Sequence, residues 1–205
     1  MQKLIFGIAI FFCFAASMVQ AQTAPPEVMA AAQAGLQPFL SRISPETRES
    51  YGFDRSDAFG QVHLGVSFNL YTMTPDALLN YSAGSPVLSL LSKTNMWYFL
   101  VMTKNNVRCI LVVDQVDGKW QAVSLGYANL AKALSKVMQR WPQSKGFNPL
   151  LIAVFQANEY LVLVPEYSSD TLISLLPGRE ELLMEKVTKV MERLKPAVRE
   201  AIKRR

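Results

Sequence analysis

An α+β fold with a mostly antiparallel sheet of about six or seven strands is what this sequence predicts, on three observations. The first is the stretch Met96–Leu125, where MWYFLVM, VRCILVVDQ and KWQAVSL are joined by Lys104-Asn105-Asn106 and Asp117-Gly118. Asn and Gly tolerate the positive φ of tight hairpin turns, and the Val, Ile, Phe, Tyr and Trp of the flanking runs suit a pleated, half-buried surface. The second is a further apolar hairpin, Leu150–Phe155 with Tyr160–Val164 across Gln156-Ala157-Asn158-Glu159. The third is a set of amphipathic helical patterns at the N-terminus, in the middle and at the C-terminus, able to cover such a sheet.

In chain order, Lys3 followed by the 13 apolar residues Leu4–Ala16, then Val19-Gln20-Ala21, reads as an export signal cleaved after Ala21. Crossing a bilayer as a helix takes about 20 residues, so the run is short for an anchor. Phe11 and Phe12 before Cys13 do not suit a lipid-modified cysteine. Residues 22–205 then form a single α+β domain, large enough to bury about 70% of its unfolded surface. The expected compartment is secreted or periplasmic. Cys109 is the sole cysteine of that mature part, so stability comes from an apolar core rather than a disulfide.

Residues 22–60 are a lead-in of helix and loop. Pro25-Pro26 opens a helix with Val28, Ala32, Gly35/Leu36 and Phe39 on one face, and Pro38 predicts a kink or early end. Ser41–Gly60 is polar, punctuated by Pro45, Gly52 and Gly60, and reads as loop or short helix. Residues 61–178 form the sheet core with the central helix. Gln61–Met73 alternates Val62, Leu64, Val66, Phe68 and Leu70 against His63, Gly65, Ser67 and Asn69, which predicts a wet or functional second face. Thr74-Pro75-Asp76 starts a short helix, with a hydroxyl cap, a first-turn Pro and a carboxylate at the positive end. Val87–Leu91 reads as a brief strand. Ala128–Trp141 carries apolar residues at 130, 134, 137, 138 and 141, and Pro142 ends that helix. Thr171–Leu176 adds a strand. From Arg179 a last helix runs through Leu183, Val187, Val190, Met191, Leu194, Val198 and Ile202, with a kink or a break expected at Pro196.

Charge is segregated: residues 179–205 hold nine basic and five acidic side chains, whereas 22–178 balance. An alkaline pI that belongs to one helix does not describe a nucleic-acid interface, and no basic–aromatic interleaving marks the sheet. Phosphate-cradling glycine motifs and the common serine-nucleophile signatures are missing from the sequence. With His63 and Cys109 as lone representatives of their types, a zinc site of usual composition is not expected, nor is a cofactor. Asp54–Asp57 and Asp114–Asp117 lack the spacing of a calcium loop. Cys109 alternates with Val107, Leu111 and Val113, which predicts a core thiol rather than a nucleophile served by His63. Trp97, Tyr98 and Phe99 alternate faces and cannot all line one pocket. Asn80-Tyr81-Ser82 fits a glycosylation sequon.

The polar stretch holding Tyr51, Asp54, Arg55, Asp57 and His63 is where a ligand site is expected first, although local Asp–Arg pairing explains it as well. Three functions follow as expectations. One is a non-catalytic binding or interaction module with a protein partner, using the polar strand face or a sheet edge. The second is a protein held at an anionic envelope component by its basic C-terminal helix. The third is a hydrolase with a dispersed carboxylate site.

Overall fold

The computed structural model describes residues 23–176 and 181–204. The leader, its cleavage point after Ala21, Cys13, and Pro177-Gly178 with Arg179 and Glu180 lie outside the described residues. The elements are α1 (Pro26–Leu40), β1 (Val62–Met73), α2 (Pro75–Leu79), β2 (Leu91–Thr103), β3 (Asn106–Val116), β4 (Lys119–Gly126), α3 (Ala128–Arg140), β5 (Leu150–Val154), β6 (Glu159–Leu163), β7 (Thr171–Ser174), β8 (Leu183–Lys186) and α4 (Val187–Lys203). The fold is α+β, with eight strands in one sheet of order β4-β3-β2-β1-β5-β6-β7-β8, antiparallel except where β1 lies parallel to β5.

The sheet separates two layers. One face packs on α3 through Leu130, Leu134, Val137 and Trp141, and receives Tyr98, Leu100, Ile110, Leu151 and Val162. The other face is shared by α1 over Trp97, Phe99, Val101, Cys109 and Leu111, and by α4 over Ile152, Leu161, Leu163 and Leu172. Trp97 and Phe99 thus face α1 while Tyr98 faces α3, as strand alternation requires. On α1, Val28, Ala32, Leu36 and Leu40 are buried at a four-residue spacing, and Pro38 lies inside the helix, which runs on to Leu40. Gly35 lies so close to β4 that a Cβ there would stand 2.2 Å from the Ala122 Cβ.

Each half of the chain repeats one plan that the sequence did not display: four strands in a meander, then a helix. The helix closing the first half lies on one face and the helix closing the second half on the other. This arrangement has a pseudo-twofold axis running along the strands between β1 and β5.

Several expectations are corrected. The strand count is eight. Val87–Leu90 is a 3-10 turn, and the strand begins at Leu91. Leu183–Lys186 is the edge strand β8, so the last helix starts at Val187 and not at Arg179. An apolar spacing of three to four was read across residues that alternate, with Met184 toward α3 and Glu185 toward α4. Pro196 is housed inside α4 without breaking it. In the Lys104-Asn105 turn the left-handed residue is Lys104, at φ 53°.

The polar face of β1 is not wet beyond Gly65: Ser67 is 8% and Asn69 0% exposed, whereas His63 is open. Two register shifts explain why. Between Leu64 and Ser67 the strand carries one extra residue against Val101 and Phe99, so Val62 and Leu64 face α1 whereas Val66, Phe68 and Leu70 face α3. A one-residue bulge exchanges the faces, and Ser67 and Asn69 end up beneath the α1 layer. Between Asn69 and Tyr71 the extra residues lie on β2, and the Asn69 amide nitrogen donates to the carbonyls of Thr94 (3.0 Å) and Met96 (3.1 Å). Thr94 Oγ1 donates in turn to Leu70 O at 2.6 Å. Buried polarity here stitches a bulge.

Candidate functional site

The segment expected to hold a site forms two 3-10 turns, Arg48–Tyr51 and Phe59–Gln61, pinned to β3 by Arg108. The Arg108 guanidinium meets Asp57 with Nε–Oδ2 and Nη2–Oδ1 both at 2.9 Å, and Asp54 Oδ2 at 2.6 Å. Asp57 also accepts from the Asp54 backbone N–H at 2.8 Å. The Asp57 and Arg108 side chains are 9% and 13% exposed, so this forked pair is shielded from water, while Asp54 is open. Arg55 turns to Glu49 at 3.1 Å. Arg48 lies over the Phe59 ring and donates to Arg55 O. Tyr51 is half-buried against the α1 layer. The structure therefore gathers Asp54 and Asp57 around Arg108, and leaves Arg55, Tyr51 and His63 apart from them.

His63 is exposed, its Nδ1 3.2 Å from Gln61 O, on the α3 side of β1. Cys109 lies on the α1 side, fully buried, and burial pushes its thiol up to about 12. The two are on opposite faces of the sheet. Among the described residues no three His, Cys, Asp or Glu side chains converge as a metal site requires, and no helix is long and apolar enough to cross a membrane.

A cavity of about 640 Å³ lies elsewhere, where β4 turns into α3. Its walls are the Glu49–Gly52 turn, the first turn of α3, the start of β6 and the end of β7. Gly52 sets one wall: at φ 84° a Cβ would meet Arg108 O at 2.3 Å, so only glycine lets this turn lie against β3 beside Ala128. Tyr127 sets another. It occupies the cap position of α3 in the left-handed region, φ 58°, and no side chain caps the helix. Its ring is 46% exposed and stacks on Tyr98, centroids 6.1 Å apart and planes at 30°. Behind it the Tyr98 and Tyr160 hydroxyls are 3.1 Å apart. Burial, reinforced for Tyr98 by that hydrogen bond, raises both phenols above their ordinary range, so both stay protonated at neutral pH. Leu130 and Leu175 supply apolar wall. Of the acidic side chains at the cavity, Glu49 is engaged by Arg55 and Glu159 by Arg193. Ser50, Asn129, Lys132 and Asn158 add polar groups, so the lining joins an apolar, aromatic wall to several hydrogen-bonding side chains.

None of Tyr51, Asp54, Arg55, Asp57 and His63 lines this cavity, although Glu49, Ser50 and Gly52 beside them do. Sequence reading weighed Tyr98 only among strand aromatics that cannot share one pocket, and passed over Tyr127 and Tyr160. One signal was there: a bulky aromatic stands at the start of α3, where Ser, Thr, Asp or Asn is the usual cap. The Tyr98–Tyr160 contact spans 62 residues and left no local trace.

The basic residues of α4 are mostly engaged too. Lys189 pairs with Glu185, Lys195 with Glu192, Arg204 with Glu200, and Arg193 with both Glu159 and Glu185. The apolar stripe of α4 is buried against the sheet.

No protein-family model matches this chain, and it has no match among curated proteins or solved structures.

Proposed function

We propose that this protein is an exported, non-catalytic binding module whose binding site is the cavity between the start of α3 and the β6–β7 ends. The observation that carries this reading is the roughly 640 Å³ space walled by Tyr127, Tyr160, Leu130 and Leu175. Its volume lies within the range of small-molecule sites, and its polar lining comprises the Tyr127 and Tyr160 hydroxyls, Ser50, Asn129, Asn158 and Lys132, with Glu49 and Glu159 held in ion pairs. Such groups suit orienting a bound molecule by hydrogen bonds. Export rests on the leader Met1–Ala21, and the mass of the mature protein tests it by the presence or loss of those residues.

The binding reading is tested with the neutral fluorescent probe N-phenyl-1-naphthylamine on the full protein and on Asn129→Trp. Asn129 lines the cavity and is exposed, so the indole can occupy the space without disturbing the core. Saturable binding by the wild type, weakened at least tenfold in the variant, is the expected result. Equal binding by the two proteins rules the cavity out.

A further inference from the structure

The three tyrosines do more than furnish apolar surface. A phenol carries one hydrogen, so two hydroxyls facing each other at 3.1 Å share one hydrogen bond and leave one hydrogen over. Tyr98 is 3% exposed, and orphaning its hydrogen there costs desolvation with no return. Tyr160 lines the cavity. The arrangement that avoids the buried orphan has Tyr98 donating to Tyr160, with the Tyr160 hydrogen offered to the cavity. Among the described residues nothing accepts it.

Tyr127 adds a second constraint. One face of its ring is covered by Tyr98 and the residue remains 46% exposed along the cavity wall. An open aromatic face beside apolar Leu130 and Leu175 selects a flat, unsaturated body, because offset stacking and apolar burial reinforce one another there. Of the charged groups at the cavity, Glu49 and Glu159 are held by Arg55 and Arg193, and Lys132 stands exposed at the rim.

We infer that the cavity takes a planar aromatic molecule bearing a hydrogen-bond acceptor such as a carbonyl, stacked on Tyr127 and held through the Tyr160 hydroxyl. This rests on the binding reading given above and names the ligand class for that site. Protonated phenols suit the role, since burial keeps Tyr160 a donor through the neutral and mildly alkaline range.

The test is competition for N-phenyl-1-naphthylamine by two probes of similar flat shape: coumarin, which has a carbonyl, and naphthalene, which has none. Coumarin is expected to bind about tenfold more tightly, the ratio one neutral hydrogen bond supplies. Tyr160→Phe should erase the difference. Tyr167→Phe, at an exposed ring tilted against Trp141 away from the cavity, should keep it. Should Tyr160→Phe fail to fold, tyrosine-labelled NMR of the wild type replaces it: coumarin must shift the Tyr127 and Tyr160 ring resonances and leave Tyr167 in place. Equal affinity for the two probes, a preference that survives Tyr160→Phe, or shifts confined to other tyrosines overturns the inference. In each of those cases probe loss in Asn129→Trp would still uphold the cavity, whereas a probe indifferent to that substitution removes both readings together.

Discussion

At the scale of single residues, burial decides chemistry. Cys109 is held in the α1 layer with its thiol raised to about 12, against an ordinary value of 9.0. At pH 8 its thiolate fraction is lower by a factor on the order of 10³. A disulfide reagent such as DTNB should therefore leave Cys109 unmodified in the native protein and label it in denaturant; rapid native labelling of Cys109 would refute a core role. The linkage has a definite sign. A folded value above the unfolded one gives stability that is complete below pH 9 and is withdrawn as pH rises toward 12. Arg108 illustrates the opposite case, a charge kept because it is paired. Arg108→Met leaves the shielded Asp57 without its partner and should cost about 3 kcal/mol, a drop in Tm on the order of 10 °C. Asp54→Asn, at an open carboxylate, should cost less than about 1 kcal/mol. Thermal melts of the two variants check the contrast.

At the scale of elements, two polar devices fasten secondary structure. The first is Asn69, whose amide satisfies carbonyls that the β2 bulge removes from the ladder. Asn69→Leu keeps the four-atom, Cγ-branched side chain but has no donor, and should destabilise by about 3 kcal/mol in chemical denaturation. The second is Arg193, which joins α4 to the sheet through Glu159 on β6 and through Glu185 on β8, with Ser174 Oγ at 3.0 Å. Burial works to raise Glu185, but Lys189, Arg193 and Ser174 outweigh it and its carboxyl titrates below the ordinary 4.5. That contribution is present above pH 4.5 and is lost as pH falls through the depressed value. Arg193→Met should cost about 3 kcal/mol at pH 7, and its deficit should shrink at acid pH as Glu185 becomes protonated. An unchanged deficit at pH 3 would show that packing, not charge, fastens α4. The apolar stripe Val187, Val190, Met191, Leu194 and Val198 carries the rest, with each buried side chain contributing about 1.5–3 kcal/mol.

For the whole molecule, the parallel junction of β1 with β5 matters most. Leu70, Tyr71 and Thr72 pair there with Leu151, Ile152 and Ala153, and Thr72 Oγ1 donates to Ala153 O at 3.0 Å. The core beneath α3 runs across the junction, from Phe68 and Tyr98 to Val162 and Ile173. The two meanders are thus one structural unit despite their repeated plan. Calorimetry should show a single transition whose van't Hoff and calorimetric enthalpies agree, with a heat-capacity increment of roughly 2–2.5 kcal/mol/K. Two resolved peaks would mean that the halves unfold separately.

The sequence alone determined the class of the fold, the central meander with both turns, the capped start at Thr74, the core position of Cys109 and the amphipathic helices. All of these follow from contacts within a few residues, where side-chain period and turn chemistry act directly. Tertiary structure alone decided the rest. A strand's face depends on its partner's register, so the bulges that bury Ser67 and Asn69 could not be read from an unbroken alternation. The Leu183–Lys186 strand exists because β7 offers it an edge, and Arg108 and Tyr160 reach their partners across 51 and 62 residues. Distant pairings follow from the closing of the sheet, so both the ion-paired loop and the tyrosine-lined cavity were assembled by topology rather than spelled out locally.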